Sequence, residues 1–571
     1  MQNYQNIIML IQITFFLTLI SQFLIIKGSN NNNIPSNDLS SWCKQTPYSE
    51  QCEFYLSQNK YTFPIKQKQE FLTMMVQSAM ENIVQVHQNV YSSLSSNNGE
   101  IDIEKAVWRD CMDMYELALE HLNQTITNTK CTKLDSQTWL SSALTLHQTC
   151  QNGFYDLNLT NKFIPTLVNN VNISSLISNA LAINNDWMVS SPGNRKLLQS
   201  GSGQVDQAMA QNAITSTGDR KLLQSGSGQV DQAMARDDIN NDDGGFPSWV
   251  SPRDRKLLQS GSGQGDVTVA QDGTGDYSSI GQAISGASSK SGGGRFVIHI
   301  KAGIYKENIE IGLKNIMLLG DGIGKTIITG SRSVGGGATT FRSATVAAVG
   351  SGFMAQGITF RNTAGPSNHQ AVAFRSNSDL SVFYKCSFEG YQDTLYVFSN
   401  RQFYRDCDIY GTVDFIFGNA AVVLQNCNIL VRNPPAGTNT LTAQGRTDPN
   451  QNTGIVIHNC RVGAAESQGG AKTYLGRPWQ QYSRTVYMKT NMDSIVNPKG
   501  WLEWSGNFAL STLYYGEYAN TGPGSSTANR VTWPGYHVIT SASEAAKFTV
   551  GNFIAGGSWL PNTGVPFVSG L

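Results

Sequence analysis

Val382-Phe-Tyr-Lys-Cys386-Ser-Phe, Gln402-Phe-Tyr-Arg-Asp-Cys407-Asp-Ile, Val422-Val-Leu-Gln-Asn-Cys427-Asn-Ile and Ile455-Val-Ile-His-Asn-Cys460-Arg-Val are four variants of one pattern. Each is an apolar strand, a polar residue, a cysteine and a second short apolar stretch. The first three cysteines are 21 and 20 residues apart. Short strands recurring at this period mark a parallel β-helix, in which each repeat is one coil stacked on the last. Stacking places equivalent positions in columns about 4.8 Å apart, the spacing of neighbouring strands.

That column rule converts spacing into chemistry. Asp393 lies seven residues after Cys386, and Asp414 lies seven after Cys407. The two carboxylates are therefore expected to face each other on adjacent coils. Their contexts, Tyr391-Gln-Asp-Thr-Leu-Tyr396 and Gly411-Thr-Val-Asp-Phe-Ile-Phe-Gly-Asn419, are aromatic and apolar. Two carboxylates so placed do not both ionise easily, so one proton is expected to be held at neutral pH. One group then serves as acid and the other as base or nucleophile, the division of labour of a hydrolase. Gln370 and Gln392, 22 residues apart, bring amide donors alongside. The competing reading is a side-chain ladder that only stabilises the stack.

Other chemistries fail on the residues. No Gly-x-Ser-x-Gly elbow occurs. His299, His369, His458 and His537 are scattered without metal-ligand spacing, so no metal site is expected. Gly320-Asp-Gly-Ile-Gly-Lys-Thr326 has Leu319 where a phosphate loop needs its first glycine, and reads as a turn between strands.

Upstream, the texture changes. A chain of 571 residues with 40% hydrophobic content exceeds one ordinary domain and excludes global disorder. Residues 38–185 hold little glycine, and 67–90 and 103–122 carry apolar positions every three to four residues, the helical period. Five cysteines lie here, which in an oxidising compartment means two bridges and one spare. Cys43 with Cys52 is the first; for the second, Cys111, Cys131 and Cys150 stay open. Residues 1–28 contain an apolar run, 7–26, that reads as a signal peptide or signal anchor, although no basic residue precedes it. Either reading sends the chain into the secretory pathway, in keeping with glycosylation sequons at Asn123, Asn158 and Asn172.

Residues 186–265 form a polar linker in which Arg195-Lys-Leu-Leu-Gln-Ser-Gly-Ser-Gly recurs at Arg220 and Arg255. Three polar copies bury nothing, so a solenoid is rejected, and an exposed Arg-Lys-Leu-Leu core suits a processing protease. Equal numbers of basic and acidic side chains, 41 each, argue against a nucleic-acid partner. The balance is uneven along the chain. Residues 266–571 hold 23 basic against 18 acidic side chains, and 1–265 the reverse, so the two parts are expected to attract.

Together, Gly-Tyr-Gln-Asp-Thr-Leu-Tyr (390–396), Gly-Thr-Val-Asp-Phe-Ile-Phe-Gly-Asn-Ala (411–420), His-Gln-Ala-Val-Ala-Phe-Arg (369–375) and Leu-Gly-Arg-Pro-Trp (475–479) make 266–571 resemble a plant pectin methylesterase. Residues 38–185, with Thr138-Trp-Leu-Ser-Ser-Ala-Leu-Thr145, resemble the pectin methylesterase inhibitor, a four-helix bundle carried as a pro-region. The resemblance implies an all-α pro-domain before an all-β right-handed parallel β-helix. It also implies no metal or organic cofactor, a cell-wall location, methylated homogalacturonan as substrate and a likeness to monomeric enzymes. By the same resemblance the second bridge is Cys111–Cys150, and Cys407–Cys427 is a further disulfide. A subtilisin-like protease would cut at the Arg-Lys-Leu-Leu tetrads, and a proteinaceous inhibitor would be a partner.

The site residues implied are Asp414 as nucleophile, Asp393 as proton donor, Gln392 and Gln370 as oxyanion stabilisers, and Thr340, Gln370, Arg477 and Trp479 as substrate contacts. One position departs from the family: Phe398 stands where a histidine is usual, which bears on pH dependence and substrate preference. A polygalacturonase or lyase and a non-catalytic wall-binding module are the alternatives, separated by whether methanol is the product.

Overall fold

The structure, a computed structural model, describes residues 36–57, 65, 67–96, 102–156, 173–190, 265–287 and 294–571. The apolar segment within 1–28, the three Arg-Lys-Leu-Leu tetrads, Asn158 and Asn172 lie outside the described residues. Asn123 is half-buried within a helix.

The N-terminal part is helical: α1 (Ser36–Cys43), α2 (Ser49–Ser57), α3 (Lys68–Ser96), α4 (Asp102–Thr127), α5 (Lys133–Asp156) and α6 (Ile173–Ser190). Of the four long helices, α3 packs on α4 and α6, and α5 packs on the same two. Their apolar faces meet in a core that includes Phe71, Met75, Ile83, Tyr115, Leu122, Leu144, Phe154, Ile177 and Leu181. The start of α5 is set by a capping box. Thr132 Oγ1 accepts from the Asp135 amide at 3.1 Å, and the Asp135 carboxylate accepts from the Thr132 amide at 2.7 Å, satisfying donors that a helix start leaves orphaned. Bridges join Cys43 to Cys52 and Cys111 to Cys150, and Cys131 is free. Among the described residues no helix is long and apolar enough to cross a membrane.

The C-terminal part is a stack of coils whose strands form three parallel sheets of eleven, eight and seven strands. The quoted repeats lie in register: Val382 pairs with Phe403, Phe403 with Val423, and Val423 with Val456. The polar residue before each cysteine has a turning role. Lys385, Asp406, Asn426 and Asn459 all have positive φ, between 49° and 58°, a region that Asn and Asp tolerate better than branched residues. The chain thus bends at the same place in every coil, and the residue after the bend points inward. Phe383 and Tyr404 stack in the interior with ring centroids 4.4 Å apart. Residues 321–325 connect strands Ile316–Gly320 and Thr326–Gly330 as a turn.

The structure corrects the expected Cys407–Cys427 bridge. Cys386, Cys407, Cys427 and Cys460 are all buried and free. A coil spacing of about 4.8 Å lies within the Cα separation a disulfide spans, so the difference lies in where the thiols point. Each thiol instead points at carbonyls of its own and the preceding coil: Cys407 Sγ to Phe383 O at 3.5 Å, Cys427 Sγ to Tyr404 O at 3.7 Å, Cys460 Sγ to Leu424 O at 3.4 Å. Burial pushes the Cys407 and Cys460 thiols well up, which keeps them protonated.

Candidate active site

The seven-stranded sheet carries the site. Its strands are β1 (Ile309–Ile311), β2 (Val346–Ala348), β3 (Phe374–Ser376), β4 (Leu395–Val397), β5 (Val413–Gly418), β6 (Thr438–Gln444) and β7 (Lys472–Pro478), each paired with the next. Leu395 pairs with Ile416 and Tyr396 with Phe417, a register that carries back to set Asp393 opposite Asp414. The Asp393 amide donates to Val413 O at 3.1 Å, joining the two coils beside the carboxylates. Both aspartates have left-handed backbone, φ 61° and 51°, a conformation found at constrained functional positions. Both are more than nine-tenths buried.

Arg477, on β7, grips Asp414 with its planar fork: Nε donates to Oδ1 at 2.9 Å and Nη2 to Oδ2 at 2.6 Å. Burial opposes the guanidinium charge, but the Asp414 hydrogen bonds together with the charges of Asp414 and Asp393 outweigh it and hold the Arg477 pKa above its ordinary value. A fork of this kind fixes the orientation of the carboxylate it holds.

Two further groups escaped the sequence reading. Thr440, on β6, accepts the Asp414 amide at 2.9 Å and donates its hydroxyl to Asp414 Oδ1 at 2.6 Å. No fixed spacing points to it, because β5 and β6 pair through a register irregularity between Val413 and Ile416. Trp504, partly exposed, lies under the Arg477 guanidinium at 4.4 Å from the ring centroid. Gln370 and Gln392 are half-buried on adjacent coils, joined by the Ala371 amide donating to Gln392 O at 3.2 Å. Thr340 does not reach the acid pair. It precedes β2, three strands from β5, and its neighbour Phe341 starts a row of rings that ends at Trp479: Phe341–Phe398 at 5.7 Å, Phe398–Tyr396 at 5.0 Å, Tyr396–Phe417 at 4.1 Å and Phe417–Trp479 at 6.1 Å. Phe398, buried within that row, has no proton to exchange. Among the described residues no group of three or more His, Cys, Asp or Glu side chains could hold a metal ion.

The helical part lies over this face. Phe341, Val372, Tyr396, Phe398, Phe417 and Ala443 belong to the apolar cluster of the helices rather than to the β-helix interior. From α5, Thr145 Oγ1 accepts from Asn419 Nδ2 at 2.8 Å, and the Ser141 carbonyl accepts from Gln451 Nε2 at 3.0 Å. Trp139 Nε1 donates to Asp379 at 3.3 Å. Among the described residues, each ion pair across the seam joins a helical acid to a β-helix base: Asp110 and Asp113 with Arg342, Glu120 with Lys314, Asp135 with Arg401. The uneven charge of the two parts is spent at this contact.

Residues 266–557 match the Pectinesterase family, and residues 37–183 match the plant invertase/pectin methylesterase inhibitor family. The chain is 56% identical to Pectinesterase 2 of Citrus sinensis, over 94% of this chain and 95% of that protein.

This chain belongs to the pectinesterase family.

It is a carboxylic ester hydrolase acting on the methyl esters of pectin, with an inhibitor-like helical domain in the same polypeptide. The pectinesterase is also 53% identical to the probable pectinesterase/pectinesterase inhibitor 17 of Arabidopsis thaliana, over 96% of this chain and 97% of that one. Among solved structures, the carrot pectin methylesterase is 59% identical, with a TM-score of 0.53; it aligns with 55% of this pectinesterase and 100% of its own chain.

Proposed function

We propose that ester hydrolysis runs through Asp414 as nucleophile and Asp393 as proton donor, and that the helical domain restrains this reaction until the linker is cut. The observation that carries the first part is the Arg477 fork on Asp414, with Asp393 one coil away. Anionic Asp414 attacks the C6 carbonyl of a methylated galacturonate, and the charge that develops on the carbonyl oxygen is met by the Gln370 and Gln392 amides. The C–O bond to the methoxy group breaks as Asp393 gives its proton to departing methanol, leaving an acyl-Asp414 anhydride. Asp393, now a base, takes a proton from water. The resulting hydroxide equivalent cleaves the anhydride, releasing a free C6 carboxylate and restoring both groups. Trp479 and Thr340 hold the sugar chain, Trp479 through its apolar ring face.

Methanol release by purified residues 266–571 tests the reaction, and Asp414→Asn and Asp393→Asn test the roles. Each is expected to lose at least about a hundredfold in turnover. Near-parent release by either variant would overturn its assignment.

The second part is supported by the seam: α5 and the apolar cluster of the helices cover the row of rings beside Trp479. A tether of this kind keeps the helical domain at roughly millimolar effective concentration. Cutting by a subtilisin-like protease at an Arg-Lys-Leu-Leu tetrad then allows release by dilution. The enzyme acts as a monomer in the cell wall after secretion, every proposed catalytic group coming from one chain. Full-length protein, the cut mixture and residues 266–571, compared at equal concentration, should rise in activity in that order. Equal activity in all three at every salt concentration would leave the helical domain a folding aid only.

A further inference from the structure

Among the described residues, Arg342 is the one basic side chain at the seam that takes two helical carboxylates. Its Nε donates to Asp110 Oδ1 at 2.6 Å, and its Nη2 meets the Asp113 carboxylate. The second oxygen of Asp110 accepts from Thr339 Oγ1 at 2.5 Å. Thr339 Oγ1 in turn accepts the Arg342 amide at 3.1 Å, so hydroxyl and guanidinium are tied to one turn. A carboxylate 4% exposed is thus held at both oxygens by donors that belong entirely to the β-helix. Such a pair can receive a carboxylate, the guanidinium Nε and the hydroxyl each taking one oxygen, while Nη1 faces Glu310 of the β-helix at 3.7 Å.

Its place in the fold gives the receptor a second meaning. Arg342 follows Phe341, the far end of the row of rings whose near end is Trp479, two residues after Arg477 in sequence. The turn enters β2, three strand spacings, or about 14 Å, from the strand of Asp414. A polysaccharide lying along the rings toward Asp414 therefore passes Arg342 a few sugars from the scissile ester. The product of each turnover is a C6 carboxylate on that same polymer.

We propose that Thr339 and Arg342 form a subsite for an ionised galacturonate carboxylate of the pectin chain, which Asp110 occupies when the helical domain is docked. This rests on the row of rings being the pectin track. The enzyme then prefers pectin already carrying free carboxylates, and each product carboxylate helps to seat the chain for the next ester. Asp110 stands in for the uronate, so the helical domain competes with de-esterified pectin at this point.

The test uses residues 266–571, which have their own apolar core, and the carrot enzyme aligns over 100% of its chain with 55% of this one. Arg342→Gln and Arg342→Lys are compared with the parent on highly methylated pectin and on pectin de-esterified to about half. The ratio of kcat/KM on the second substrate to that on the first is expected to fall about tenfold in Arg342→Gln, and less in Arg342→Lys, which keeps charge without the fork. Calorimetric binding of fully de-esterified oligogalacturonate should weaken by a similar factor. An unchanged ratio with unchanged oligogalacturonate binding would overturn the subsite and leave Arg342 a docking residue. An equal fall on both pectins would also overturn it. Should the parent release no methanol, the reaction assignment fails, while the calorimetric comparison still decides the subsite.

Discussion

Replacing Thr440 with valine keeps the shape of the side chain and deletes one hydroxyl. In the structure that hydroxyl serves Asp414 twice: it donates to Oδ1 at 2.6 Å and accepts the Asp414 amide at 2.9 Å. Thr440 is 1% exposed, so water cannot take its place without repacking. A hydrogen bond to a charged group is worth about 1.5–3 kcal/mol. Losing it frees the carboxylate to turn about its Arg477 contact, in a residue whose φ of 51° already needs support. If that orientation is used in the attack, kcat should fall by roughly 10- to 100-fold, since each 1.36 kcal/mol is a factor of ten. KM should move little, because Thr440 acts through Asp414 and not on the sugar. Initial rates of methanol release on methylated pectin measure both constants, with circular dichroism to verify folding. Thr440→Ser, which restores the hydroxyl, should recover most of the rate. A valine variant within twofold of the parent, or a serine variant as poor as valine, would refute the idea that Thr440 positions the nucleophile.

Arg477→Lys keeps the charge but cannot supply both fork contacts, so turnover should drop at least tenfold; parent-like kinetics would mean that Arg477 only braces the fold. Burial lowers His147 from 6.5 to about 4, with Tyr115 Oη 3.2 Å from Nδ1. Its folded pKa lies below the unfolded one, so its stabilising effect is complete above pH 6.5 and is lost progressively as pH falls toward 4. About 3 kcal/mol should disappear over that window. Unfolding of the helical signal by denaturant at several pH values measures it, and a His147→Gln variant that kept the full slope would exclude His147 as its source. Finally, denatured, unreduced protein should titrate five thiols: Cys131, Cys386, Cys407, Cys427 and Cys460. Three would mean that one bridge forms in the cysteine column after all.

How much of this was legible beforehand depends on how each contact is encoded. The β-helix is a one-dimensional stack, so a repeat of about 21 residues in sequence is adjacency in space; four cysteine-centred repeats were enough to give the coils and to align Asp393 with Asp414. The helical texture of the N-terminal part follows from its 3.6-residue period in the same local way. Arg477, Thr340 and Trp479 could be named only through resemblance, because Arg477 stands 63 residues beyond Asp414, across coils of unequal length.

What the sequence determined by itself, then, is what repeats or sums along the chain: the coil period, the stacked acids and the opposite charges of the two parts. The tertiary structure decided what does not repeat. Thr440 reaches Asp414 across 26 residues, through an irregularity in register that breaks the column rule. The thiols of the cysteine column stay free and turn to backbone carbonyls, a choice of side-chain direction that the repeat does not encode. Arg342 finds Asp110 across 232 residues, and that meeting depends on the fit of two folded surfaces, which no local pattern encodes.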